Sequence, residues 1–119
     1  MFSEILDRFL KDVPGVRSAT VMGFDGIAIE SRDADGADGN EAAAAVEIAA
    51  VTSQLRRAAE GLGAGEVREV TLETDGMTTL LRPLTSEYFL AVTLGAGGLT
   101  GKARYLMRIA APKITAELA

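Results

Sequence analysis

Residues 2–13 place apolar side chains at the spacing of an α-helix. The apolar positions recur every three or four residues and form one stripe: Phe2, Ile5, Leu6, Phe9, Leu10 and Val13. Ser3 is a suitable N-cap, and Pro14 followed by Gly15 ends the pattern. The segment predicts a first helix that covers a core with this stripe.

The next two apolar segments flank Asp25-Gly26, which is a strong signal for a hairpin turn. Residues 16–24 are apolar at positions of both parities, so we predict a central strand that is covered on both faces. Residues 27–31 form the returning strand. The polar segment 32–40 is predicted to be a loop, and its aspartates lack EF-hand spacing because Ala37 and Asp38 occupy the fifth and sixth positions.

Residues 41–62 predict the longest helix, with Asn40 as its N-cap. A regular spacing of three and four residues assigns a core stripe to this helix: Ala44, Ile48, Val51, Leu55, Ala58 and Leu62. The opposite side carries small residues and then charged ones: Val46, Ala49, Ala50, Ser53, Arg56, Arg57 and Glu60. Small residues permit close approach of a partner helix, but alanine is also simply a good helix former, and the pattern leaves both readings open.

Three further strands are predicted, at residues 67–74, 77–84 and 88–94. The first alternates polar and apolar residues, which is typical of a strand with one buried face at or near a sheet edge. Asp75-Gly76 is a second hairpin turn, and Pro83 is expected at the end of its strand. The third is apolar on both faces and is predicted to be central.

Residues 99–118 predict a last helix that follows a glycine-rich loop. This loop does not have the phosphate-binding pattern, because Gly101-Lys102 is followed by Ala103. The predicted core residues of the helix are Leu106, Ile109, Ala110 and Ile114, and Pro112 is expected to kink or interrupt it. Its cations are expected mostly on a solvated face: Lys102, Arg104, Arg108 and Lys113.

The order of elements predicts one domain over residues 1–119, an α/β fold of the α+β type. Two-stranded and three-stranded meanders separated by helices imply a five-stranded antiparallel sheet. Because two strands are apolar on both faces, helices are expected on both faces. The long helix is assigned to one face, and the two terminal helices to the other.

Composition excludes most catalytic chemistry. The chain has neither His nor Cys, which removes the commonest general base, the thiol nucleophile and the usual transition-metal ligands. The net charge of −5 also disfavours nucleic-acid and membrane-surface binding. We therefore predict no enzyme active site, no cofactor and no metal. With no apolar segment long enough to span a bilayer and no signal-peptide pattern, a cytoplasmic protein is expected.

Several segments, in this order and spacing, are familiar: residues 10–16 (LKDVPGV), 23–29 (GFDGIAI), 58–63 (AAEGLG), 72–76 (LETDG) and 88–92 (YFLAV). Through them the chain resembles the Roadblock (dynein light-chain) family, particularly its small bacterial members of the MglB type. The resemblance extends over essentially the whole chain. It implies an αββαβββα domain that homodimerises through its middle helix and joins the edge strands of two protomers into a longer sheet.

The resemblance also implies a partner, a Ras-like small GTPase of the MglA type, whose GTP hydrolysis an MglB-like protein stimulates. An adaptor with no effect on hydrolysis is the alternative, and a sensory domain that binds a small molecule is a third class. The predicted dimer interface combines the small-residue face of the long helix with the edge strand: Val46, Ala49, Ala50, Ser53, Arg57, Val70 and Leu72. No residue is assigned to the GTPase contact.

Overall fold

A computed structural model of the chain describes residues 2–37 and 39–118. Its three helices are α1 (Ser3–Asp12), α2 (Asn40–Gly61) and α3 (Thr100–Leu118). Its five strands are β1 (Val16–Gly23), β2 (Ala28–Asp33), β3 (Val70–Glu73), β4 (Met77–Pro83) and β5 (Tyr88–Gly95). The predicted order of elements is confirmed. Asp38, from the predicted loop, lies outside the described residues.

The strands form one antiparallel sheet in the order β2-β1-β5-β4-β3. As predicted, β1 and β5 are central, and they are buried along most of their length. The prediction that the strand after the long helix is an edge strand is confirmed, although β3 is shorter than the predicted segment 67–74. Pro83 is the last residue of β4, at a position where a missing N–H disturbs the ladder least.

Consecutive strand residues point to opposite faces of the sheet, and the two faces have separate cores. Val21 and Leu90 belong to a cluster that also contains Phe9 of α1 and Met107 of α3. Their neighbours along the strands belong to a second cluster with the buried residues of α2: Met22, Phe89, Ala45, Ile48 and Ala49. The predicted division of the helices between the two faces is thus observed.

Glu30 of β2 holds the start of α1. Its two carboxylate oxygens accept hydrogen bonds from the backbone N–H of Phe2, at 3.1 Å, and from the hydroxyl of Ser3, at 2.6 Å. The prediction of Ser3 as N-cap is wrong, because Phe2 occupies that position and the Ser3 hydroxyl bonds across to the sheet instead. The hydrogen bond from Ser3, the bond from Phe2 and the charge of Arg32 lower the pKa of Glu30, outweighing the opposing effect of burial.

We expect Glu30→Gln to destabilise the protein by about 1 kcal/mol at neutral pH, since it removes a charged acceptor from two hydrogen bonds. A lowered pKa means that the folded state favours the carboxylate. The stabilisation is therefore complete above the ordinary pKa of 4.5 and is lost as the pH falls through the lower pKa of the folded state. Urea unfolding at neutral and at acid pH measures this. The exposed neighbour Glu4, changed to Gln, is the control, and an equal loss at both pH values would contradict the prediction.

The predicted core stripe of the long helix is wrong apart from Ile48, which is buried. Val51, Leu55 and Leu62 are 47%, 42% and 82% exposed. The buried residues of α2 are instead Glu41, Ala45, Ile48, Ala49 and Thr52. The Thr52 hydroxyl donates to the Ile48 carbonyl at 2.8 Å. Glu41 Oε2 pairs with Arg17 Nε of β1 at 2.8 Å, whereas its other oxygen, Oε1, is buried with no hydrogen-bond partner among the described residues. Asn40 is the first helical residue and Gly39 takes the N-cap position, so that prediction is also wrong.

α3 differs from its predicted pattern in two respects. It continues through Pro112 to Leu118 with no interruption. Its buried residues are Ala103, Met107, Ala110, Ala111 and Ile114. Ile109, predicted to face the core, is exposed, while Leu106 is half-buried against the core cluster. The periodicity located the helix correctly but placed the centre of its buried face too far towards Ile109.

Candidate interaction surface

α2 presents large apolar side chains on the flank that faces β3. The other flank is marked by Val46, whose methyl groups lie beside Gly26 in the turn between β1 and β2. Val51 is five residues further along, about 140° around the helix, and Leu55 follows one turn later on the same side. Both side chains are more than two-fifths exposed. This flank of α2 therefore carries unburied apolar surface directed towards the β3 edge.

β3 continues this apolar surface onto the sheet. Val70 and Leu72 pair with Leu81 and Thr79 of β4, and Leu81 packs in the α2-side cluster. Val70 is half-buried against that cluster, whereas Leu72 is 44% exposed. Leu72 thus lies on the same face of the sheet as α2, at the same edge as the exposed flank of the helix.

The outer side of β3 also offers backbone hydrogen-bonding groups. At the turn into β4, the Thr74 N–H donates to the Met77 carbonyl at 2.8 Å. Antiparallel pairs alternate between bonded and non-bonded, so Val70 and Leu72 bond to β4, and the N–H and C=O groups of Thr71 and Glu73 point outward. Among the described residues, β3 has no second neighbour in the sheet order. These groups are available to another strand.

The structure does not bring the predicted dimer-interface residues together on one surface. Ala49 is only 2% exposed and packs under the sheet of its own chain, so its assignment to an interface is wrong. Ser53 is half-buried and its hydroxyl donates to the Ala49 carbonyl at 3.3 Å. Ala50 and Arg57 are exposed on the outer side of α2, away from Ala49.

Val51 and Leu55 were missed because the sequence pattern assigned them to the core. One signal against that assignment is in the sequence. The small residues Ala45, Ala49 and Thr52 also recur at helical spacing and suit a close approach of helix to sheet. A helix with an arc of small residues and an arc of large apolar residues can bury the first against its own sheet and expose the second.

Arg56 is engaged within its own chain. Its guanidinium lies 4.1 Å from the centroid of the Phe24 ring and donates to the Thr85 and Ser86 carbonyls at 3.0 and 3.2 Å. Phe24 in turn packs on Phe89, with ring centroids 4.9 Å apart. Burial lowers the pKa of Arg56, and the nearby Glu66 carboxylate opposes this shift. Arg56 therefore ties α2 to the β1–β2 and β4–β5 turns.

The groups that the structure brings together suit binding to another protein. The sequence supplies no His or Cys, and within residues 2–37 and 39–118 no group of three or more Asp or Glu side chains is placed to hold a metal ion. No helix in the described part of the chain is long and apolar enough to cross a bilayer. The distinguishing features are an apolar helix flank and an open strand edge on one side of the molecule.

Comparisons with known proteins agree with this architecture. The sequence model of the Roadblock/LC7 domain matches residues 2–94. No curated protein sequence matches the chain.

Among solved structures, MglC from Myxococcus xanthus is 39% identical, with 98% of each chain covered and a TM-score of 0.70. A Roadblock/LC7 domain from Streptomyces avermitilis is 22% identical over 97% of this chain and 95% of that one, with a TM-score of 0.82. An MglB with tetrameric arrangement is 17% identical over 95% and 84%, also with a TM-score of 0.82. The chain belongs to the Roadblock/LC7 domain family.

Proposed function

We propose that this protein is a non-enzymatic, homodimeric regulator that binds a Ras-like small GTPase. The observation that carries the proposal is the exposed apolar flank of α2 beside the open edge of β3, in a chain of the Roadblock/LC7 family. A monomer would leave this combination of apolar side chains and unpaired backbone groups in water, where it favours association.

A second copy fits this surface geometrically. A two-fold axis beside β3 sets the two β3 strands antiparallel, so that the outward groups of Thr71 and Glu73 find partners, and it places Leu55 of both α2 helices near the same seam. An interface of ordinary size buries roughly 1,600 Å². The tetrameric arrangement of a structurally similar MglB supports self-association. Of the residues predicted from the sequence, Val70 and Leu72 fit this dimer best.

The GTPase partner follows from the family resemblance, and the structure supports a role without a donated catalytic group. An arginine finger must reach out of its own protein into the active site of the partner. Arg56 is held by Phe24 and two carbonyls. Arg57 is exposed and stays the remaining candidate on this helix. The regulator would act by holding the GTPase in a productive conformation.

We expect Arg56→Ala and Arg57→Ala each to reduce stimulated GTP hydrolysis by at most about tenfold, since a finger is worth roughly 10³–10⁵ in rate. Single-turnover hydrolysis by an MglA-type GTPase at saturating regulator measures this. Arg56→Ala should also lower the melting temperature, whereas Arg57→Ala should leave it unchanged, and this difference separates a structural loss from a catalytic one. A thousandfold loss in a folded variant that still binds would identify a finger.

The same assay decides between regulator and adaptor. Binding to the GTPase with no change in hydrolysis would assign the alternative, a Roadblock-type scaffold. The absence of binding to both the GDP-bound and the GTP-analogue-bound GTPase, by sedimentation, would refute the proposed partner. The homodimer is tested separately, by the variants described below.

A further inference from the structure

Four arginines surround one glutamate on the sheet face that carries α3. An open hollow of about 600 Å³ beside β3, β4 and α3 is lined by Arg68, Glu69, Arg82, Arg104 and Arg108. This concentration of positive charge occurs in a chain whose net charge is −5. It lies on the face opposite α2, because Arg82 has the same parity in β4 as Leu80 of the α1–α3 cluster.

The single carboxylate in the hollow is already used. Glu69 Oε2 accepts from Arg104 Nε at 2.8 Å and from the Thr71 hydroxyl at 2.9 Å. Within residues 2–37 and 39–118, no carboxylate oxygen is recorded within 4 Å of a guanidinium nitrogen of Arg68, Arg82 or Arg108. Glu60 and Glu66 line the adjoining hollow at the end of α2, which Arg68 and Arg82 also line. Four guanidinium groups around a single glutamate repel one another, and such repulsion opposes folding, so stability alone does not explain the cluster.

We propose that this hollow binds an acidic segment of a partner protein, with carboxylates paired to Arg68, Arg82 and Arg108. Guanidinium groups can bind carboxylates through two parallel hydrogen bonds, and Arg104 already pairs with the Glu69 carboxylate in the same place through a single bond from Nε. On the outer side of α3, next to Arg108, Tyr105 is 64% exposed and Ile109 is exposed as well. They suit an apolar residue within the acidic segment.

Other anionic partners fit the hollow less well. Phosphate sites commonly use backbone N–H groups at the start of a helix, whereas Arg104 and Arg108 lie inside α3, which begins at Thr100. An anionic bilayer fits less well, because the net negative charge of the chain opposes its approach. An extended nucleic-acid backbone needs a longer basic track than one cluster. The hollow and the apolar flank of α2 lie on opposite faces of the sheet, and they meet at β3, where the Thr71 hydroxyl bonds to Glu69.

A labelled, capped peptide of glutamates around a central phenylalanine tests the proposal by fluorescence anisotropy at low salt. The full chain should bind it saturably, and Arg82→Gln/Arg108→Gln should weaken binding at least about tenfold. The control removes the same amount of charge from α3 outside the hollow, with Lys102→Gln/Lys113→Gln, and should stay within about twofold. If the double arginine variant fails to fold by circular dichroism, Arg68→Gln, outside any helix or strand, takes its place with the same expectation.

Several results would overturn the proposal. Equal weakening by the arginine and lysine pairs would show attraction to net charge alone. The matching glutamine peptide binding as tightly would show that carboxylates are not recognised. Tighter binding of inorganic phosphate, phosphatidylserine vesicles or an RNA oligonucleotide through the same arginines would assign the hollow to a different class of partner.

Discussion

Replacing Ala49 by glutamate should unfold the domain, or bring it close to unfolding. The side chain is 2% exposed, in the cluster where α2 packs on Met22 and Phe89. A glutamate there must find space in a packed interior and loses its water without gaining a counter-charge. A buried unpaired charge of this kind costs about 3–5 kcal/mol, a large part of the stability of a domain. Thermal unfolding by circular dichroism should show a melting temperature lower by more than about 10 °C, or no transition.

The adjacent residue is the matched control. Ala50 is exposed, so Ala50→Glu should change the free energy of unfolding by about 0.5 kcal/mol or less. The pair separates the two sides of α2 with the same substitution at neighbouring positions. If Ala49→Glu melts normally and only changes the oligomeric state, Ala49 faces a partner and the packing of α2 described above is wrong.

The order of elements and the central or edge position of β1, β5 and β3 were predictable because each signal is local. Asp25-Gly26 and Asp75-Gly76 close two hairpins, and strands that are apolar on both faces belong in the middle of a covered sheet. The edge position of β3 also followed from its alternation. These features depend on one turn or one strand at a time, so a single sequence carries them.

The orientation of α2 was not predictable by the same means. Periodicity analysis turns the largest apolar residues inward, yet Val51 and Leu55 are exposed while Ala45 and Thr52 are buried. The inner arc is small because the helix lies close to the sheet, and the large residues are on the flank beside β3. A helix that packs on its own core and also presents a second surface departs, on that surface, from the rule that large apolar residues are buried. The same error placed Ala49 at the surface and Leu55 in the core, whereas Ala49 is 2% exposed and Leu55 is 42% exposed.

Leu55→Asp should dissociate the proposed homodimer by raising its dissociation constant at least about a hundredfold. A large apolar residue near the centre of an interface is worth about 2 kcal/mol or more, and a two-fold dimer contains the substitution twice. Because Leu55 is 42% exposed in the protomer, the variant should keep its fold. Sedimentation velocity over a range of micromolar concentrations gives the constant, and circular dichroism checks the fold.

Val46→Asp is the control for the opposite flank of α2. Val46 is also 42% exposed, but it lies beside Gly26 and away from β3. If the interface lies beside β3, this variant should stay dimeric. If the interface lies on the small-residue face of the helix, the variant should dissociate. The proposed seam would therefore be refuted if Val46→Asp dissociated the dimer and Leu55→Asp left it dimeric.

The backbone of β3 supplies an independent test of the same dimer. Thr71→Pro removes an N–H that points away from β4, so the sheet of the protomer should survive while the contact between the two edge strands is lost. Thr71→Ala keeps the amide and removes the γ-methyl group and the hydroxyl that contacts Glu69, so it should remain dimeric. Both substitutions remove that hydroxyl, and the comparison isolates the backbone donor. Equal sedimentation of the two variants as dimers would exclude strand pairing at this edge and leave the apolar flank of α2 as the whole basis for association.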